Sequence, residues 1–128
     1  MKCHADGQSA PTGSVFVFGS NLAGRHGAGA AKHAAQHFGA EYGVGTGRTG
    51  DSYAIPTKGS RLEVLATFEI YQYVCRFVRY TKLHTGTSFF LTRVGCGLAG
   101  YSDQQIAPMF IGVGENVDIP EAWKRYLE

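Results

Sequence analysis

The sequence predicts an α/β domain with a mostly parallel central sheet. Short runs rich in Val and Phe alternate with longer stretches of helical periodicity, which is the order of strand–helix–strand units. Eighteen of the 128 residues are glycine, roughly twice the usual 7% share. They gather at 19–29, 39–50 and 95–100, each group beside a strand or helix signal. Turns alone would account for glycine at element ends, and so would loops that cradle a ligand. The length and a hydrophobic share of 44% fit one domain with a core of ordinary size.

Composition narrows the function classes. A formal charge of +2, with twelve Lys and Arg in no block, argues against nucleic acid as a partner. No run of about 18 apolar residues is present, so no membrane helix is expected. Residues 1–13 are polar and lack the apolar region of a signal peptide. They read as a flexible N-terminal tail before a single domain at 14–128, and the expected location is cytoplasmic. Cys3, Cys75 and Cys96 are spaced neither as a disulfide framework nor as a zinc site. Neither a metal nor a cofactor is expected.

Ser14–Phe18 is apolar and closed by Gly19, a buried strand. Gly19 to Gly29 is a polar, glycine-rich loop. Ala28–Phe38, with Ala30, Ala31, Ala34 and Ala35 at helical spacing, is a helix ended by Gly39. Gly43–Gly50 is a second glycine segment, leading to a strand at Tyr53–Ile55 whose pairing Pro56 is expected to end. Leu65–Leu83 reads as a long helix with Phe68, Tyr71, Val74, Cys75 and Val78 as its apolar face. Thr87–Val94 is β-rich and runs into a third glycine loop, Gly95–Tyr101. Ser102 or Asp103 can cap a helix reaching about Phe110. Asn116–Ile119 is a last strand, and Pro120 suits the first turn of a terminal helix with Trp123 and Tyr126.

The order strand, glycine loop, helix at Val15–His33 is the one in which backbone N–H groups at a helix N-terminus meet phosphate. In parallel sheets ligands bind at the carboxyl ends of strands, where all three glycine loops could converge.

These loops resemble those of the macro-domain family. Gly19-Ser20-Asn21 and Gly24-Arg25-His26-Gly27-Ala28-Gly29 stand where that family has Asn-Ala-Ala-Asn followed by a glycine run. Gly95-Cys96-Gly97-Leu98-Ala99-Gly100-Tyr101 is similar in kind to its glycine turn with an aromatic. The wording of both stretches looks closer still to uncharacterised macro-like proteins of phages and prophages, over residues 14–123. The resemblance implies a three-layer α/β/α fold that binds ADP-ribose or a related nucleotide, free or on an ADP-ribosylated protein. It implies Asn21 near the distal ribose, with Tyr101 packed nearby and Ser20 among the ligand-binding residues. Gly27, Ala28 and Gly29 would offer N–H groups to one phosphate, and Gly97, Leu98, Ala99 and Gly100 would wrap the diphosphate from the other side. An acidic residue holds the adenine amine in many macro domains, but Ser14–Ser20 contains none.

Individual side chains carry their own expectations. His26 is a candidate phosphate contact or acid–base group, or a structural loop residue. His33 and His37 share a helix face without an evident third metal ligand. Arg25, Arg48 and Arg93 flank glycine loops, and Arg93 is the best single anion partner among them. Cys96, between Gly95 and Gly97, reads as a small buried residue rather than a nucleophile. Asp51 and Asp103 read as turn and helix-terminus residues. From Leu22 to Phe38 there is no Asp or Glu, which disfavours a hydrolase pairing Asn21 with a carboxylate there. Three function classes follow: an ADP-ribose-type binder, an enzyme processing ADP-ribose with Asn21 as the catalytic residue, and a protein-interaction module.

Overall fold

The computed structural model describes residues 1–128. Six strands form one mixed sheet: β1 Cys3–His4, β2 Val15–Asn21, β3 Gly47–Thr49, β4 Ser52–Lys58, β5 Phe89–Leu91 and β6 Val117–Pro120. Their order across the sheet is β1-β6-β5-β2-β4-β3. Every pairing is parallel except the short β3, which runs antiparallel to β4. The helices are α1 Gly29–His37, α2 Thr67–Leu83, α3 Asp103–Ile106 and α4 Lys124–Leu127. Short 3₁₀ turns at Ala107–Phe110 and Glu121–Trp123 complete the chain.

Strand alternation on β2 divides the core in two. Val15 and Val17 face one side of the sheet, where they join Ile70, Val74 and Phe77 of α2. Phe16 and Phe18 face the other, against Ala31 and Ala34 of α1. The two-residue period of a strand forces this division. Alanine on α1 lets the helix lie close to the Phe-bearing face.

The buried face of α2 keeps Val74, with Val78 partly buried beside it, but otherwise differs from the expected one. Ile70, Val74, Phe77 and Thr81 point inward, while Phe68 and Tyr71 are 68% and 51% exposed and Cys75 is also exposed. Both sets satisfy three- and four-residue spacing, so periodicity alone could not choose between them. The buried face is the one that meets Tyr53 and Phe89 through the ring of Phe77. Burying a side chain of this size contributes about 1.5–3 kcal/mol.

Two further expectations are corrected. Pro56 does not end β4, which continues to Lys58 with Pro56 opposite Ser20. The partner on the other side, β3, stops opposite Ala54. At Pro56 the strand is therefore an edge on that side, where a missing N–H is tolerated. The N-terminal segment is not a free tail. Cys3 and His4 pair in parallel with Ile119 and Pro120, and His4 is buried against Phe90.

Candidate functional site

The carboxyl ends of β2 and β4 and the loop that follows β5 open into one cleft of about 630 Å³. The first loop, Asn21 to Gly29, and the third, Gly95 to Ala99, face each other across it. A methyl group on Gly29 would lie 3.8 Å from Leu98 Cδ1.

Ser20 and Asn21 belong to β2 itself, and their side chains hold the first loop in shape. Ser20 Oγ donates to the Gly45 carbonyl at 2.6 Å. The Asn21 carboxamide is used at both ends: Nδ2 donates to the Arg25 carbonyl at 2.8 Å and Oδ1 accepts from the Arg25 N–H at 2.9 Å. Asn21 lines the cleft but acts as the clasp of a tight turn, which weighs against it as the catalytic residue. The second glycine segment lies behind this turn: the Gly43 N–H donates to the Gly24 carbonyl. It braces the first loop, where sequence reasoning expected it to converge on the ligand.

The loop then enters α1 with its backbone donors free. Ala28 precedes the helix without a side-chain cap, and no acid lies in the first turn. The N–H groups of Gly27, Ala28, Gly29, Ala30 and Ala31 make no hydrogen bond within the chain; Lys32 is the first to find a carbonyl, that of Ala28. A helix start in this condition carries partial positive charge. Across the cleft, the N–H groups of Cys96, Gly100 and Tyr101 close turns within the third loop. Those of Gly97, Leu98 and Ala99 make no hydrogen bond within the chain.

Three cations line the cleft, Arg25, Lys58 and Arg93, and no Asp or Glu does. Arg93 is anchored. Its Nε and Nη2 donate to the two carboxylate oxygens of Asp103 at 2.9 and 2.8 Å, and Nη1 reaches Asp6 at 3.3 Å. Trp123 Nε1 donates to the same Asp103 at 2.6 Å, tying the C-terminal turn to the cleft wall. The Arg93 guanidinium, with Trp123 in support, holds the Asp103 carboxyl below its ordinary range. Burial, with Asp103 nearby, pushes the Cys96 thiol up to about 12. Cys96 is therefore a neutral thiol at physiological pH and no nucleophile.

Several expected site residues lie elsewhere. His26 is 3% exposed and turned away from the cleft. Its Nε2 donates to the Glu41 carbonyl at 3.0 Å, and its ring packs edge-on to Phe18 and Tyr42. A polar loop ring was drawn inward because Phe18 and Tyr42 offer it an aromatic slot. Tyr101 also turns to the core, its hydroxyl donating to the Leu65 carbonyl, and neither it nor Gly100 lines the cleft. Arg48 binds the Gly50 carbonyl and Asp51 beside β3. Gly27, Ala28, Gly29, Arg93, Gly95, Cys96, Gly97, Leu98 and Ala99 do line the cleft with Ser20 and Asn21. Sequence reasoning missed Tyr42, Thr57, Lys58, Leu62 and Thr92. Lys58 had a legible signal, a cation at the carboxyl end of a strand in a parallel sheet.

A second recess, about 320 Å³, adjoins the cleft and shares Thr92 and Arg93 with it. Its walls include the rings of Phe16, His33 and Phe90, and it contains the Asp6 carboxylate.

Comparison with protein families, curated proteins and solved structures finds no match to this chain. Fold and cleft together define an α/β domain with a donor-lined, carboxylate-free cleft at the carboxyl edge of its sheet.

Proposed function

We propose that this protein is a macro-like binding domain, of the type common in phages, for ADP-ribose or a related nucleotide diphosphate. The observation that carries the reading is the cleft lining. Two runs of unpaired backbone N–H groups face each other with Arg25 and Lys58, and no carboxylate lines the cleft; Arg93, on its wall, is shared with Asp103 and Asp6. Such a lining favours a ligand with adjacent negative charges held between two loops, and a diphosphate has that form. The adjoining recess, with flat rings and one carboxylate, suits the base at one end of the ligand. Helix α1 on one face and α2 on the other fit the three-layer α/β/α arrangement of this reading.

Binding rather than hydrolysis is the leading activity. The Asn21 carboxamide is engaged at both ends, the Cys96 thiol is neutral, and the cleft has no carboxylate to act as a general base. The reading extends to ADP-ribose carried on a modified protein as a partner.

Titration calorimetry of the full chain with ADP-ribose, ADP and AMP tests the reading. ADP-ribose is expected to bind tightest and AMP weakest, with affinity falling as salt rises. No heat from any of the three at millimolar concentration would overturn it in favour of an interaction module.

A further inference from the structure

Helix α2 carries a face that nothing in the chain covers. Ile70, Val74, Phe77 and Thr81 point inward. On the outward side Phe68 and Tyr71 are 68% and 51% exposed, and Cys75, Arg79 and Lys82 are exposed with them. At 3.6 residues per turn these five fall within about 40° of a line through Cys75 along the helix. They form one stripe on the side away from the core. None of them lines the cleft or the recess beside it.

The stripe is divided by chemistry. Its N-terminal half holds two aromatic rings and its C-terminal half two cations. Glu69, the acid of α2, turns back to the helix start, where Oε1 accepts from the Ala66 N–H at 3.2 Å. Arg76, beside the stripe, lies over the ring of Tyr73, 5.3 Å from its centre. Arg79 and Lys82 have no acid partner in the chain. A cation over the face of an aromatic ring is attracted to it, and large rings grouped on a surface favour a partner that covers them.

Cys75 is the centre of the pattern. Tyr71 stands four residues before it and Arg79 four after; Phe68 stands seven before and Lys82 seven after. Lay a second α2 antiparallel on the first, Cys75 against Cys75, and every ring meets a cation. Tyr71 of each copy faces Arg79 of the other, and Phe68 of each faces Lys82 of the other, as a two-fold axis requires. A parallel pair would set Arg79 against Arg79 and Lys82 against Lys82. An acidic peptide would satisfy the cations and leave the rings uncovered.

We propose that the outward face of α2 is a self-association surface, on which two copies of this chain pair antiparallel about a two-fold axis at Cys75. One face of a 17-residue helix makes a small interface, so the pair is reversible and half-formed at about 100 µM. Both clefts stay open in the pair, because α2 contributes no residue to their walls.

Sedimentation equilibrium of the reduced full chain, from about 10 µM to about 1 mM, tests the surface. A monomer–dimer equilibrium is expected. A chain that stays monomeric throughout would overturn the proposal and leave the stripe to a different partner. Arg79→Glu sets an acid against the ring of Tyr71 and is expected to weaken association by about tenfold or more. Adding Tyr71→Lys gives that acid a cation from the other copy, and the affinity is expected to return to within about threefold of the wild type. Positions 71 and 79 are two turns apart in one helix and do not meet there, so the rescue comes only across the pair. An Arg79→Glu chain that associates as well as the wild type, or a folded double variant that stays weakened, would overturn the pairing.

Cys75 supplies an arm without a change of charge. Of the three cysteines it is the exposed one. A short bis-maleimide added to the reduced wild type is expected to join two chains. Cys75→Ser is expected to give no joined product while still sedimenting as a dimer. A wild-type dimer that the reagent leaves unjoined would overturn the two-fold axis at Cys75, and with it the proposal.

Discussion

A methyl group built on Gly45 would lie 2.2 Å from the Asn21 carbonyl oxygen, and one on Gly24 would lie 2.2 Å from the Gly43 carbonyl carbon. Built on Gly27 or Gly97, it would meet nothing within 4 Å. The first pair stands behind the cleft and the second at its lip. Behind the cleft, glycine is required by the protein's own backbone, because two loops pack main chain to main chain. At the lip nothing in the folded chain requires it, so the open space there is available to a ligand. One composition signal therefore holds two constraints, and only the second concerns binding.

The comparison breaks most sharply at Gly45→Ala. No flexible side chain can yield to the new methyl group, since its neighbours are backbone. The expected cost is about 3 kcal/mol or more, read as a lower urea midpoint by circular dichroism. A loss below that of an ordinary surface change would remove Gly45 from the bracing set. Next is Asn21→Ala, which removes the clasp on Arg25 and leaves its N–H and carbonyl without their partner. About 1–3 kcal/mol of destabilisation is expected, with weaker ADP-ribose binding because the first loop loses its shape.

The third effect is smaller and depends on pH. Arg93 and Trp123 hold the Asp103 carboxyl below its usual range. A carboxyl depressed on folding contributes stability that is fully present above its unfolded value and lost as pH falls through the folded one. Asp103→Asn is therefore expected to cost about 1 kcal/mol or less at neutral pH. The wild-type and variant urea midpoints should converge as the solution is acidified below about pH 4. Parallel curves across that range would mean that the Arg93 anchor adds nothing to stability.

The smallest effect on the fold belongs to Gly97→Val. Stability is expected to change by under about 0.5 kcal/mol, while calorimetry shows ADP-ribose binding lost. A folded Gly97→Val that binds as well as the wild type would show that the lip glycines do not admit a ligand backbone-close, and the contrast with Gly45 would lose its functional half.

Where one signal dominated, the sequence was legible. Val15 to Phe18 could only be a buried strand, and the Ala-rich stretch after it, closed by Gly39, could only be a short helix. Of the two caps the sequence offered, Ser102 and Asp103, Ser102 is the one used, accepting from the Gln105 N–H. Legibility failed where two readings fitted equally. On α2, Phe68 and Tyr71 compete with Ile70 and Phe77 at the same spacing, and only the sheet beneath decides. At β1, two residues between Lys2 and Ala5 offer no periodicity, because the strand exists through a partner at the far end of the chain. Within the site, the first and third glycine loops line the cleft and the second does not, and the direction of each ring was not written locally. His26 and Tyr101 turn inward because Phe18, Tyr42 and the Leu65 carbonyl, remote in sequence, offer them partners. Asp6 escaped notice for the same reason, since β1 brings it to the recess.

The edge strand β1 also bears on the order in which the molecule assembles. His4 and Asp118 are 114 residues apart, so their contact closes almost the whole chain into one loop. Loop closure costs more entropy as the loop lengthens, and pairings at long range form late. A ribosome must release nearly all of the chain before β1 can dock on β6. The sheet from β5 through β2 to β4 and the cleft above it have all their residues available earlier. The recess walled by His4 and Asp6 is thus the last part of the site to close during synthesis. By the same entropy it is the first to open when the folded chain breathes, and amide exchange at Ile119, whose N–H is held by the Lys2 carbonyl, would report it.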